Sequence, residues 1–329
     1  MLNTARRLRD TAFALERAID SSRAQGDLAE LATLTSNLAT VKGNLGSADE
    51  ALELARRALA IQVQLGDTDG PAGGVVETYL GLYCGMVGRY GEALERLDSA
   101  IGRFERDGQK TWIAVANNHK VCLLMQLGQF ARAHQALSHE APSVEAVRAR
   151  GVALAARLDR ALGQGGDAGL HRALEMLGPG GDPHVRMQTL LDAAEQIEPA
   201  AAAAQCGEVQ RMADALEFGG VSMRAGLLRA LALHRGGRSL EAARQLRALL
   251  PRLDAVLPSD MYLPDAWWIA AQVFEACGSG DEALMALAQG ARWVRQVALP
   301  HVPEAFRDSF LHRNPTNRAL LAAVGRRPA

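Results

Sequence analysis

The chain has 329 residues, of which 48% are hydrophobic, 22% charged and only 5% aromatic. That is enough apolar material for a sizeable core, and the abundance of Ala, Leu, Arg and Gly fits close-packed helices and not a β-rich fold. Lys+Arg is 36 against 37 Asp+Glu, a formal charge of −1, which argues against a dedicated nucleic-acid binder. The N-terminus has no uninterrupted apolar run and no segment is apolar enough to span a bilayer, so a soluble, cytoplasmic protein is expected, with no membrane partner. Cys84, Cys122, Cys206 and Cys277 are far apart and read as buried helical thiols in a reducing compartment.

The first predicted element is an amphipathic helix over 3–24, with Leu8, Phe13, Leu15 and Ile19 toward the core. It has no partner before it: either it caps the chain, or it is the second helix of a missing pair. An uncapped helix also offers a surface for a second copy of the chain, so a homodimer is one expectation. From there a short phrase recurs: GSADEAL (46–52), GRYGEAL (88–94), GQFARAH (128–134), GRSLEAA (237–243) and GSGDEAL (278–284). The glycine ends one helix in a left-handed C-cap, where a Cβ would clash. The alanine sits where the returning helix crosses closely. These alanines, Ala51, Ala93, Ala133, Ala242 and Ala283, are separated by 42 and 40 residues at the start and by 41 at the end. Between Ala133 and Ala242 the phrase decays, and Ala168 and Ala202 are the best candidates for the two missing units.

Upstream of each glycine lies a helix-spaced apolar stretch, such as Leu80, Tyr83, Cys84 and Val87. First helices are predicted at 28–45, 72–87, 111–127, 144–162, 183–197, 221–236 and 262–277. Second helices are predicted at 47–66, 89–107, 129–139, 167–177, 199–217, 238–256 and 280–298. Pro183 and Pro199 fit the first helical position. The stretch GPGGDP (178–183) is the clearest break, either a hinge between sub-arrays or an ordinary loop. After Pro300, two short helices opened by Pro303 and Pro315, the second capped by Asn314, form a cap over the last apolar face.

The residues Leu80, Gly81, Gly88, Tyr90, Glu92, Ala93, Leu94 and Ala100 resemble the tetratricopeptide repeat, as do Trp267, Gly278, Glu282, Ala283 and Leu284. The resemblance implies an all-α, right-handed α-α superhelix of about seven helix pairs, with an N-terminal helix and a short helical C-terminal cap. It is read as one superhelical domain over 1–329, with sub-arrays at 1–177 and 183–299 and the cap at 300–329. Units near 40 residues, longer than the family's typical length, and the stretch LPHVPEAFRDSFLHRNPTNRALLAA (299–323), are similar to the repeat arrays of large bacterial ATPase-type regulators. The ATPase and output modules of such proteins are absent from this chain, and their activities are not carried over.

No GxxxxGK[ST], HExxH, GxSxG or zinc-type Cys/His spacing occurs, so no enzyme, cofactor or metal is expected. Function is expected in the concave groove lined by the first helices. Counting back from each glycine turns inward Thr33, Ser36 and Thr40; Thr78 and Leu82; Asn118, Cys122 and Met125; Arg150, Arg157 and Arg160; Asp265, Trp268 and Gln272. Arg150, Arg157 and Arg160 share one helical face, and guanidinium forks suit carboxylates or phosphates. Asn118 could bond a peptide backbone, and Trp268 could be an apolar anchor. The expected occupant is an acidic or C-terminal segment of a protein partner, or a small anionic molecule in a sensory array. The plainer alternative is that these arginines are solvated and paired with Glu145 and Asp159, and that both Trp267 and Trp268 are core.

Overall fold

The computed structural model describes residues 8–66, 70–137 and 142–325. These are helical throughout: seventeen α-helices and no strand among the described residues. Helix α1 (Leu8–Gln25) precedes seven antiparallel pairs. The pairs are α2 (Leu28–Leu45) with α3 (Ala48–Leu65), α4 (Pro71–Met86) with α5 (Tyr90–Arg106), and α6 (Lys110–Gln126) with α7 (Phe130–Ala136). They continue with α8 (Glu145–Ala161) and α9 (Asp167–Leu177), α10 (Pro183–Ala194) and α11 (Pro199–Ala215), α12 (Gly219–Arg235) and α13 (Ser239–Leu249), and α14 (Leu263–Ala276) and α15 (Gly280–Arg292). A π-helical turn, Trp293–Ala298, then leads to α16 (Arg307–His312) and α17 (Pro315–Gly325). None of the described helices is long and apolar enough to cross a membrane.

The repeat phrase works as its chemistry requires. Ala51, Ala93, Ala133 and Ala242 are fully buried and Ala283 nearly so, each at the fourth position of its helix. In the decayed middle Ala202 holds that position on α11. Ala168 does not hold it on α9: Leu170 stands there, buried, and Ala168 faces solvent. The close helix crossing is carried instead by Gly169, where an added Cβ would sit 2.8 Å from the Ala156 methyl. Helix α13 stops short of its predicted end because Pro251 has no amide hydrogen to continue the ladder. On α1 the buried face is Ala12, Ile19 and Ser22, with Leu8 and Leu15 packed beside it. Phe13 falls off that stripe and is 62% exposed, against expectation, because α1 packs on α2 from one side only.

The array does not stay open. Residues 253–262, between α13 and α14, run back into the concave side. There the Leu257 amide donates to Gly46 O and the Ser259 amide to Gly220 O, both at 3.0 Å. The α2–α3 turn thus meets the α11–α12 turn. At the far end Asn314 caps α17 as expected, its Oδ1 accepting from the Asn317 amide. Helix α17 covers α14 and α15, with Leu320 against Gly290. The residues before it do something unforeseen: they close over the turns of the N-terminal pairs. Phe310 is fully buried against Tyr90 and Tyr262, and the Ser309 hydroxyl donates to Leu127 O. The Asn314 amide donates to Gln126 O.

Gly128 sits at this seam with φ +69°, and a Cβ there would lie 2.5 Å from Ser309 O. Gly108 has nearly the same backbone conformation but open space around it. Both Gly→Ala variants should lose about 1–2 kcal/mol of stability to left-handed strain. Gly128→Ala should in addition shift the seam, so its urea midpoint should fall clearly below that of Gly108→Ala; equal midpoints would show that the seam is not tightly packed.

Candidate functional site

The interior left between the first helices and the 253–262 segment is organised around charge. Asp192 projects from α10 and is completely buried. Arg150 Nη1 (α8) reaches its Oδ2 at 2.9 Å, Arg224 Nη2 (α12) its Oδ1 at 2.5 Å, and Arg157 Nε (α8) lies 3.5 Å from Oδ1. The second Nη of Arg150 is ion-paired with Asp260, which the inserted segment delivers from a left-handed backbone (φ 56°). Aspartate tolerates that conformation better than most residues. Burial alone would raise the Asp192 carboxyl. The charges of Arg157, Arg224 and Arg150 overcome it and hold the group well below the usual carboxylate range. Asp260 is lowered by the same balance.

Four of the five sequence-derived candidates fall into two chambers that share Cys122 and Asp260, with Cys122 Sγ 3.7 Å from Asp260 Oδ1. The first, about 290 Å³, is bordered by Asn118 and Arg150 together with Tyr79, Tyr83, His119 and His184. Asn118 Nδ2 donates to Val147 O at 3.4 Å. The second, about 300 Å³, is bordered by Arg157 and Arg160 with Phe130, Tyr262, Asp265 and Thr316. Arg160 bonds Glu195 at 3.1 Å and the Asp192 carbonyl at 3.3 Å. Trp268 borders neither chamber: with Trp267 it is partly buried against the C-terminal core. Of the other residues counted as inward, Thr40 and Leu82 line the first chamber, Met125 and Asp265 the second.

Both histidines of the first chamber are neutral near pH 7. Burial lowers His119 to about 4 and also lowers His184, which stacks on Phe218 at 4.9 Å. Burial pushes the Cys84 thiol up to about 12 and Cys122 up to about 11, away from the thiolate needed for nucleophilic chemistry.

Residues 30–106, from α2 to the end of α5, match the family model of the tetratricopeptide repeat. Over that stretch the chain is similar to the tetratricopeptide repeat. No curated protein matches it. Among solved structures it is similar to the P58(IPK) TPR domain, at 12% identity over 96% of this chain and 100% of that one, with a TM-score of 0.29. Tetratricopeptide-like arrays are in general binding scaffolds that use a concave surface. In this one Arg150 is buried and Arg157 and Arg160 are partly exposed, and none pairs with Glu145 or Asp159; their acids come from α10 and its C-cap Glu195 and from the inserted segment. Sequence reading missed Asp192, Arg224 and Asp260. The first two carried a signal: each is a lone charge inside an apolar helical stretch, LLDAA and SMRAGLL.

Removing the Asp192 charge leaves Arg157 and Arg224 without a paired acid and Arg150 with Asp260 alone. Asp192→Asn should cost about 3–5 kcal/mol in urea denaturation at neutral pH. The native carboxyl titrates lower folded than unfolded, so its contribution is present above its unfolded pKa of about 4 and is lost as pH falls further. The variant should therefore show a flatter acid limb than the native chain.

Proposed function

We propose that this chain is a non-catalytic ligand-sensing array that takes a small molecule into its closed interior, as the regulatory part of a bacterial signalling protein. One observation carries the reading. The groove that would accept a long partner segment is occupied by the chain's own residues 253–262, leaving two chambers of about 290 and 300 Å³. That is the low end of small-molecule pockets. The first chamber supports it further. It combines an apolar and aromatic body, Tyr79, Leu82, Tyr83 and Val115, with a few convergent polar groups, Asn118, Gln188 and the two neutral histidines. Non-catalytic use is supported by the suppressed thiols and by Asp192 and Asp260, which are committed to arginines. A peptide lying along the concave side would have to expel Asp260 from Arg150, so the peptide-scaffold reading becomes an outcome of the test.

The test is a thermal-shift screen of the chain against small polar-aromatic metabolites and against synthetic acidic peptides. A ligand at a hundredfold excess over its Kd stabilises the fold by about 2.7 kcal/mol. Val115→Trp, which fills the first chamber, should abolish the shift from a small-molecule ligand while leaving the helical circular dichroism intact. A neutral polar-aromatic ligand that stabilises this variant as well as the native chain, or hits confined to peptides, would overturn the reading.

A further inference from the structure

The buried cluster is not electrically closed. Arg150, Arg157 and Arg224 bring three positive charges, Asp192 and Asp260 only two negative ones. Arg160 is matched separately by Glu195. Two guanidinium nitrogens of the cluster, Nη1 of Arg157 and Nη1 of Arg224, are buried without a hydrogen-bond partner. A buried donor on a cation is costly to leave unmade, because no water replaces the missing acceptor. Arg157 borders the second chamber, where Arg160 stands one helical turn further along α8.

The second chamber already holds one more acid, Asp265 of α14, but it does not serve Arg157. Its Oδ1 accepts from the Thr316 hydroxyl at 2.5 Å, and no guanidinium pairs with it. Burial pushes its carboxyl up to about 6, against the Thr316 bond. The charged and titratable groups around it come from every neighbouring element: Arg157 and Arg160 on α8, Asp192 and Glu195 on α10, Arg224 on α12 and Asp260 and Tyr262 on the inserted segment. Cys122 on α6 and Tyr90 on α5 complete them. Of these, Glu195 raises Asp265 further, while Arg157 and Arg224 lower it.

We propose that the second chamber seats a small anionic group, a carboxylate or phosphate, on the free edge of Arg157 with Arg160 flanking it. This rests on the reading of the interior as a ligand site. The anion supplies the charge that the cluster lacks and lies against the part of Arg157 that borders the chamber. Two negative charges in one chamber repel, so the anion also favours the protonated form of the buried Asp265, and its binding takes up a proton there. The sign follows: below about pH 6 the proton is already in place, and above it each further unit of pH weakens binding.

The experiment titrates formate and, separately, inorganic phosphate into the full chain, following the arginine Nε–H resonances between roughly pH 5 and 7.5. Formate is ionised throughout this range and carries the pH reading. Its affinity should fall as pH rises through about 6, approaching about tenfold per unit. Asp265→Asn should still bind and lose the pH slope. Arg157→Gln should weaken binding by about tenfold or more, the scale of a hydrogen bond to a charged group. Arg157→Lys, which keeps the cluster's charge, guards against mere misfolding: it should bind more weakly than the native chain with the same pH slope. Preference for formate or for phosphate assigns the headgroup. Failure of both probes to bind the native chain, or equal binding by Arg157→Gln, would overturn the proposal. A neutral ligand blocked by Val115→Trp would meanwhile leave the first chamber's role standing.

Discussion

A carboxylate in the middle of a helical protein must be compensated by several donors at once, and Asp192 is compensated by three arginines from two other helices. Desolvating one charge costs several kcal/mol, and it is recovered only if partners arrive in good geometry. That requirement fixes α8, α10 and α12 relative to one another. It also recruits a loop, because Arg150 has a second face that only Asp260 satisfies. The path of residues 253–262, the division of the interior and the closed outline of the array all follow from placing that second acid. Apolar packing supplies the bulk of the stability, but it would tolerate several relative placements of the pairs. The ion cluster tolerates one.

The local architecture was legible because it is written in short-range chemistry. Glycine after an apolar stretch, and alanine a few residues into the next helix, announce a tight antiparallel pair, and five of the seven pairs carry both. The unit at α9 blurred because Leu170 took the alanine's place and Gly169 took over the close crossing. A search tuned to alanine cannot see that exchange. The inward faces were also legible: counting back from the turns placed Arg150, Arg157 and Arg160 toward the interior, with Asn118 opposite. What could not be read was which charges met there. Asp260 lies 110 residues from Arg150, on a loop with no periodicity, and its position depends on the superhelical rotation accumulated over every intervening repeat. Trp268 shows the complementary difficulty. Two adjacent tryptophans on one helix must point in different directions, yet both find the same core, because α14 is flanked on either side by helices of the closing array.

The closed interior changes what kind of recognition this scaffold favours. An open repeat array offers a long shallow track, and its affinity comes from many small contacts along a flexible partner. Here the track is interrupted by a segment of the chain, and polar groups converge on two partly open chambers beside it. Electrostatic interactions gain strength among buried groups, and an unpaired donor such as Arg157 Nη1 is expensive until something satisfies it.

The two amide bonds from residues 257 and 259 to Gly46 and Gly220 also alter how the molecule comes apart. In an open solenoid each repeat touches only its neighbours, and unravelling starts at either end and spreads unit by unit. Stitching the first turns to the eleventh and twelfth helices, and the tail to the fourth through seventh, removes both free ends. No outer pair can peel away without breaking contacts distant in sequence. The array should therefore melt as one body instead of fraying, and a local disturbance in the interior should be felt at both rims. Folding bears the corresponding burden: these long-range closures form late and slow the search, in a chain whose individual hairpins are otherwise quick to assemble.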